Sequence, residues 1–155
     1  MQVTNDFVIL ARDVSVDAKD QMLSVFKIID KFNLPLDPDT YKRFLDETKD
    51  KSVTLPAMYV MSSSWRLQEK VKKDTPALLE SRIIDPSGKE LGKSVNEIVF
   101  VAGSDKLRLN GLVEGIPVIR NGRYKVELSI LDATTNKKLC SSATTYEVEV
   151  VEGKF

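Results

Sequence analysis

Three glutamates, Glu127, Glu147 and Glu149, and three aspartates, Asp13, Asp17 and Asp20, are the residues whose type and spacing come nearest to a chemical site. Two acids held a few ångströms apart can hydrolyse a glycosidic bond, and a β-sandwich can present such a pair from neighbouring strands. Here, though, the glutamates alternate with apolar residues, which puts them on a solvated strand face beside Arg123 and Lys125, where charge is ordinary. The aspartates share one connector, with Asp85 and Asp132 in other turns, and could offer oxygen ligands to Ca²⁺. Their spacing matches no dedicated metal loop, and aspartate is what tight connectors select. No catalytic residue is assigned, and neither a metal nor another cofactor is expected.

The chain contains no histidine. That removes the commonest general base, the triads that depend on it and most imidazole metal sites. Neither a Ser-x-x-Lys element nor a phosphate-cradling glycine loop is present. Cys140, the one cysteine, follows Lys137 and Lys138, which would lower a thiol pKa. Its strand register points it inward, so a small buried hydrophobe is the simpler reading. Tyr59, Met61 and Trp65 share one strand parity and would form either an aromatic surface or part of a core. Met58, Val60 and Ser62 take the other parity, and sequence does not choose which side faces in. The candidate binding residues are thus Tyr59, Trp65 and the opposed pair Arg123 and Glu147.

The elements that would carry these residues are mostly strands. Tyr124, Val126, Leu128 and Ile130 alternate with charged or polar neighbours, and Tyr146, Val148 and Val150 alternate with Glu147 and Glu149. A turn centred near Thr134 and Thr135 makes them a hairpin in which Tyr124 faces Tyr146, Val126 faces Thr144, Ile130 faces Cys140 and Arg123 faces Glu147. Leu107 to Val113 and Ile98 to Val101 read as two more strands, and Leu78 to Ile84 as another that ends at the turn Asp85-Pro86-Ser87-Gly88. Phe7 to Ala11 and Met22 to Ile29 form a second hairpin, and Ala57 to Leu67 a further strand. Asp37 caps a helix from about Pro38 to Lys49, with Pro38 at its first position and Tyr41, Phe44 and Leu45 at helical spacing. The charged stretch Gln68 to Asp74 reads as an exposed loop. With about eight strands, the expected fold is all-β, mainly antiparallel: a two-sheet β-sandwich, immunoglobulin-like or C2-like, with one short inserted helix.

A chain of 155 residues suits one domain spanning 1–155. Its 23 basic and 23 acidic residues leave no positive surplus for phosphate binding, so no nucleic-acid partner is expected. No apolar run can cross a bilayer and Met1 to Asp6 has no secretory pattern, so a cytoplasmic location without membrane association is expected.

The opening strand ending in Asp13, the strand Met22 to Ile29, the Leu55-Pro56 strand entry, the Asp85 to Gly88 turn and the Gly122-Arg123-Tyr124 strand start together resemble a family of small uncharacterised bacterial β-sandwich proteins, a domain of unknown function. The chain departs from that pattern at Val25, where a glycine is expected before Phe26, and in the helix near Pro38. The resemblance implies a sandwich and no site residue. The leading expectation is a non-catalytic module that binds a protein partner or itself through a sheet face or edge. A carbohydrate-binding or hydrolytic sandwich and a structural component of a phage or larger assembly are the alternatives.

Overall fold

A computed structural model describes residues 1–154 of the protein. Among them nine strands and one helix follow in the order β1 (Val3–Val16), β2 (Leu23–Ile28), β3 (Lys31–Leu36), α1 (Pro38–Glu47), β4 (Val53–Leu67), β5 (Thr75–Ile84), β6 (Glu90–Phe100), β7 (Lys106–Val118), β8 (Gly122–Asp132) and β9 (Lys138–Glu152). They form two packed sheets, a four-stranded one in the order β2-β1-β4-β7 (sheet A) and a five-stranded one in the order β3-β9-β8-β5-β6 (sheet B). All pairings are antiparallel except β3 with β9.

The β8–β9 hairpin has the register read from its alternation: Tyr124 opposite Tyr146, Val126 opposite Thr144, Ile130 opposite Cys140 and Arg123 opposite Glu147. Its inward residues Tyr124, Val126, Leu128 and Ile130 are all buried, because a period of two places every second side chain on the core face. The turn after β5 closes as its residues dictate. The Asp85 carboxylate accepts the Ser87 and Lys89 amides at 2.8 and 2.9 Å, and Gly88 takes the left-handed φ of +88° that the last turn position needs. The helix is capped by Asp37, which accepts the Thr40 amide at 3.0 Å, and it puts Phe44 into the core while the chain crosses from sheet B to sheet A. The loop Gln68 to Asp74 is tied to the β6–β7 connection by bonds from the Gly103 amide to the Val71 carbonyl, 2.8 Å, and from the Ala102 amide to Asp74, 2.9 Å.

Three features depart from the sequence reading. The strand starting at Leu23 ends at Ile28, and two residues carry the chain from sheet A to sheet B. The Ile29 amide donates to Leu10 of β1 and the Asp30 carbonyl accepts from Glu147 of β9, both at 2.8 Å. β3 then begins at once, with Phe32, Leu34 and Leu36 alternating, so no turn signal separates it from its predecessor; Pro35 is tolerated because β3 is an edge strand. β6 starts at Glu90, well before the apolar run at Ile98, through residues that are mostly polar or small. Finally, β1 leaves β4 after Ala11, and the β1–β2 ribbon reaches β7 at its tip, where Arg108 donates to the Gln21 carbonyl at 2.7 Å.

The Tyr124 hydroxyl fastens the β7–β8 turn. It accepts the Ile119 and Arg120 amides at 3.1 Å each and donates to the Arg120 carbonyl at 2.6 Å. Tyr124→Phe strips these partners from a turn above a fully buried ring, and it is expected to lower stability by about 1–3 kcal/mol in urea denaturation. A change within error would show that the hydroxyl does not hold the turn.

Candidate interaction surface

The outward sides of the two sheets differ in chemistry. On sheet B, alternation places Arg123, Lys125 and Glu127 of β8, Glu80 and Arg82 of β5 and Lys93 of β6 on the solvent side, and they form a ladder of ion pairs. Glu80 is bonded to Lys93 at 2.8 Å and Arg82 at 2.9 Å; Glu127 lies 3.7 Å from Lys125 and 3.8 Å from Lys138; Glu147 meets Arg123 at 3.5 Å; Glu149 pairs with Lys31. Each of the three glutamates considered for acid chemistry therefore has a cation as its nearest ionic partner, the arrangement of a solvated charged face. Arg123 and Glu147 do come together, and with Asp30 and Lys31 they line a shallow hollow of about 370 Å³.

Tyr59 and Trp65 are placed elsewhere. Both face the space between the sheets, Tyr59 at 2% and Trp65 at 0% exposure, so they offer no solvent-facing aromatic platform. The reason is parity: Met61, Ser63 and Leu67 point the same way, and Trp65 donates its indole N–H to Ser63 Oγ at 2.9 Å inside the sandwich. Asp13, Asp17 and Asp20 satisfy local backbone instead of converging. Asp13 accepts the Val14 amide at 2.8 Å, Asp17 the Lys19 amide at 2.7 Å and Asp20 the Met22 amide at 2.9 Å. Hydrogen bonds from the Asp20 and Lys19 amides hold the Asp17 carboxyl below its usual range. Among the described residues no three acidic, cysteine or histidine side chains gather as metal ligands. Cys140 is half-buried opposite Ile130, and burial pushes its thiol up, away from a reactive thiolate.

The outward side of sheet A carries an apolar row, flanked by the hydrogen-bonded pair Ser62 and Asn110 and by Glu114 beside Met58. Ile28, Ala11, Val60 and Leu112 are linked strand to strand in one cross-sheet row. Its centre, Ala11 and Val60, is buried yet takes no part in the core cluster, whereas Ile28 and Leu112 at its ends are 66% and 64% exposed. Met58, two residues before Val60 on the same side of β4, and Phe26 of β2, opposite Asp13, are 60% and 50% exposed. Alternation along β4 sets Met58 and Val60 apart from Tyr59 without deciding which side is outer. The further signal was Leu112, an apolar residue out of phase in the alternating run Leu109, Gly111, Val113.

Glu80 gives the charged face a measurable signature. The hydrogen bond from Lys93, helped by Arg82 and opposed by burial, holds its carboxyl below the ordinary value of 4.5. A lowered folded value means that ionised Glu80 adds stability above 4.5 and that this contribution is lost as pH falls through and below it. Glu80→Gln is expected to be less stable than the parent protein at neutral pH, with the gap closing on acidification in urea denaturation. A gap independent of pH would contradict the ion-pair account.

No family model and no curated protein matches the chain. The resemblance to a family of bacterial β-sandwich proteins thus rests on its own residues. Among solved structures the chain is similar to part of a beta-glucuronidase from Bacteroides uniformis, at 18% identity and TM-score 0.46 over 61% of this chain and 12% of that one. A glycosyl hydrolase family 2 member from Bacteroides cellulosilyticus gives 14% identity and TM-score 0.46 over 61% of this chain and 14% of that one. An alkylpurine DNA glycosylase from Pseudomonas fluorescens gives 10% identity and TM-score 0.43 over 77% of this chain and 27% of that one. The chain spans between 12% and 27% of the length of these proteins, which it resembles only in part.

Proposed function

We propose that this chain is a non-catalytic interaction module that binds a polypeptide through the outward side of sheet A. The observation that carries the reading is the cluster of four large apolar side chains, Phe26, Ile28, Met58 and Leu112, each at least half exposed and gathered around one cross-strand row. Scattered apolar residues on a surface need no explanation, but a contiguous group backed by buried Ala11 and Val60 is a desolvation surface of the kind interfaces use. The ion ladder on sheet B is the opposite case, since its charges are already paired and would have to be stripped of water on association. With 23 basic and 23 acidic residues there is also no net charge to keep copies of the chain apart. A subunit of a larger assembly would use the same surface. The carbohydrate-binding alternative draws no support from Tyr59 and Trp65, which lie inside.

The test compares three proteins: the parent chain, Ile28→Asp with Leu112→Asp, and Arg123→Gln with Glu147→Gln. The four positions are all exposed, so each variant is expected to fold with stability within about 0.5 kcal/mol per site. Affinity capture from cells of origin, paired with light scattering of the purified proteins, is expected to show a partner or self-association that persists in the Arg123/Glu147 variant and disappears in the Ile28/Leu112 variant. Identical behaviour of all three proteins, or loss confined to the Arg123/Glu147 variant, would overturn the reading.

A further inference from the structure

The sandwich is closed on one side and open on the other. Where β1 lies against β9, the Ile29–Asp30 crossing stitches the sheets together. At the opposite side run the edge strands β6 and β7, and there several inward positions carry small or polar residues: Gly92, Ser94 and Asn96 on β6, facing Ile83, Ser81 and Leu79 of β5, and Gly111 on β7, beside Met61 of β4. A Cβ added to Gly92 or Gly111 would meet nothing within 4 Å, so neither glycine serves a close backbone approach; each leaves room. The result is a cleft of about 470 Å³ between the sheets, which runs past β5 to Val126 and Leu128 on β8, the central strand of sheet B.

The lining defines what would fit. Its walls are Leu79, Ile83, Leu109, Val113 and the ring of Tyr59; hydroxyls of Ser81 and Ser94, 2.7 Å apart, stand toward the β6 edge with Asn96 beside them. Among the described residues no charged one lines it, in a chain of which 30% is charged. An ion entering would lose water and find no counter-charge, whereas a hydrocarbon would exchange water for apolar walls. We propose that the cleft binds an uncharged small amphiphile, its hydrocarbon body between the sheets and a hydroxyl or carbonyl at Ser81, Ser94 and Asn96. The volume is in the range of small-molecule sites. A polypeptide strand added to β6 or β7 would extend one sheet and leave the space between Tyr59 and Val126 unfilled. This site is separate from the outward surface of sheet A, and neither proposal depends on the other.

The probe is 1-octanol, titrated into the full chain and followed by methyl NMR. Saturable shifts are expected at Leu79, Ile83, Val126 and Leu128, with octanoate and octylammonium binding at least about tenfold more weakly. Gly111→Leu, and separately Ser94→Leu from the opposite lip, is expected to retain or raise the melting temperature and to weaken octanol about tenfold or more. The proposal is overturned if octanol leaves those methyls unmoved, if octanoate binds as well as octanol, or if a folded filling variant binds octanol undiminished.

Discussion

The edge-to-face contact of Phe32 with Tyr59, ring centres 5.3 Å apart, joins the two sheets and, with the inward residues Leu55, Trp65 and Leu67, fixes which side of β4 faces in. Phe32 comes from β3 of sheet B and Tyr59 from β4 of sheet A. Phe32 also meets Tyr146 at 5.4 Å, and Tyr146 stacks on Tyr124 at 5.7 Å, so four rings bind β3, β4, β8 and β9. Such pairs add about 0.5–1.5 kcal/mol each beyond the area they bury. Their larger effect is on register: a slip of β4 by one residue would turn Tyr59, Ser63 and Trp65 out and bring Met58, Val60 and Ser62 in. The cluster has a polar cost, since the Tyr146 hydroxyl is buried with no hydrogen-bond partner among the described residues, and burial drives its pKa up.

From that parity the surface chemistry follows. Sheet B shows water its paired charges, and sheet A shows water Met58 and Leu112 with the β2 residues Phe26 and Ile28. Charge that is already satisfied resists desolvation, while apolar area exposed in one place favours it. The same parity decides the depth of the inter-sheet cleft. Tyr59 closes its wall from sheet A, and the small inward residues of β6 and β7 keep its mouth open.

Much of this was legible in the chain. The β8–β9 register could be read from Tyr124 to Ile130 because the inward face of β8 is wholly apolar and the turn is polar. The helix could be read from Asp37, Pro38 and the spacing of Tyr41 and Phe44. β3 was hidden because the two-residue crossing at Ile29 and Asp30 contains neither glycine nor proline, so no turn signal stands before Phe32. The first half of β6 was hidden because Gly92, Ser94 and Asn96 sit where alternation demands large apolar residues; the residues that spoil the strand pattern are those that leave the cleft unfilled. Among the candidate residues, Arg123 and Glu147 were paired correctly, since opposed positions follow from register alone. Tyr59 and Trp65 could not be sided from one strand, because both of its faces carry apolar residues and the choice is made by packing against the other sheet.

Solvent paramagnetic relaxation, measured methyl by methyl with a neutral gadolinium chelate, tests the sidedness on which this account stands. It predicts strong broadening at Ile28, Met58 and Leu112 and protection at Leu10, Val126 and Leu128. Protection of Met58 and Leu112 together with broadening at Val126 or Leu128 would mean that sheet A faces the other way, and the account would fall.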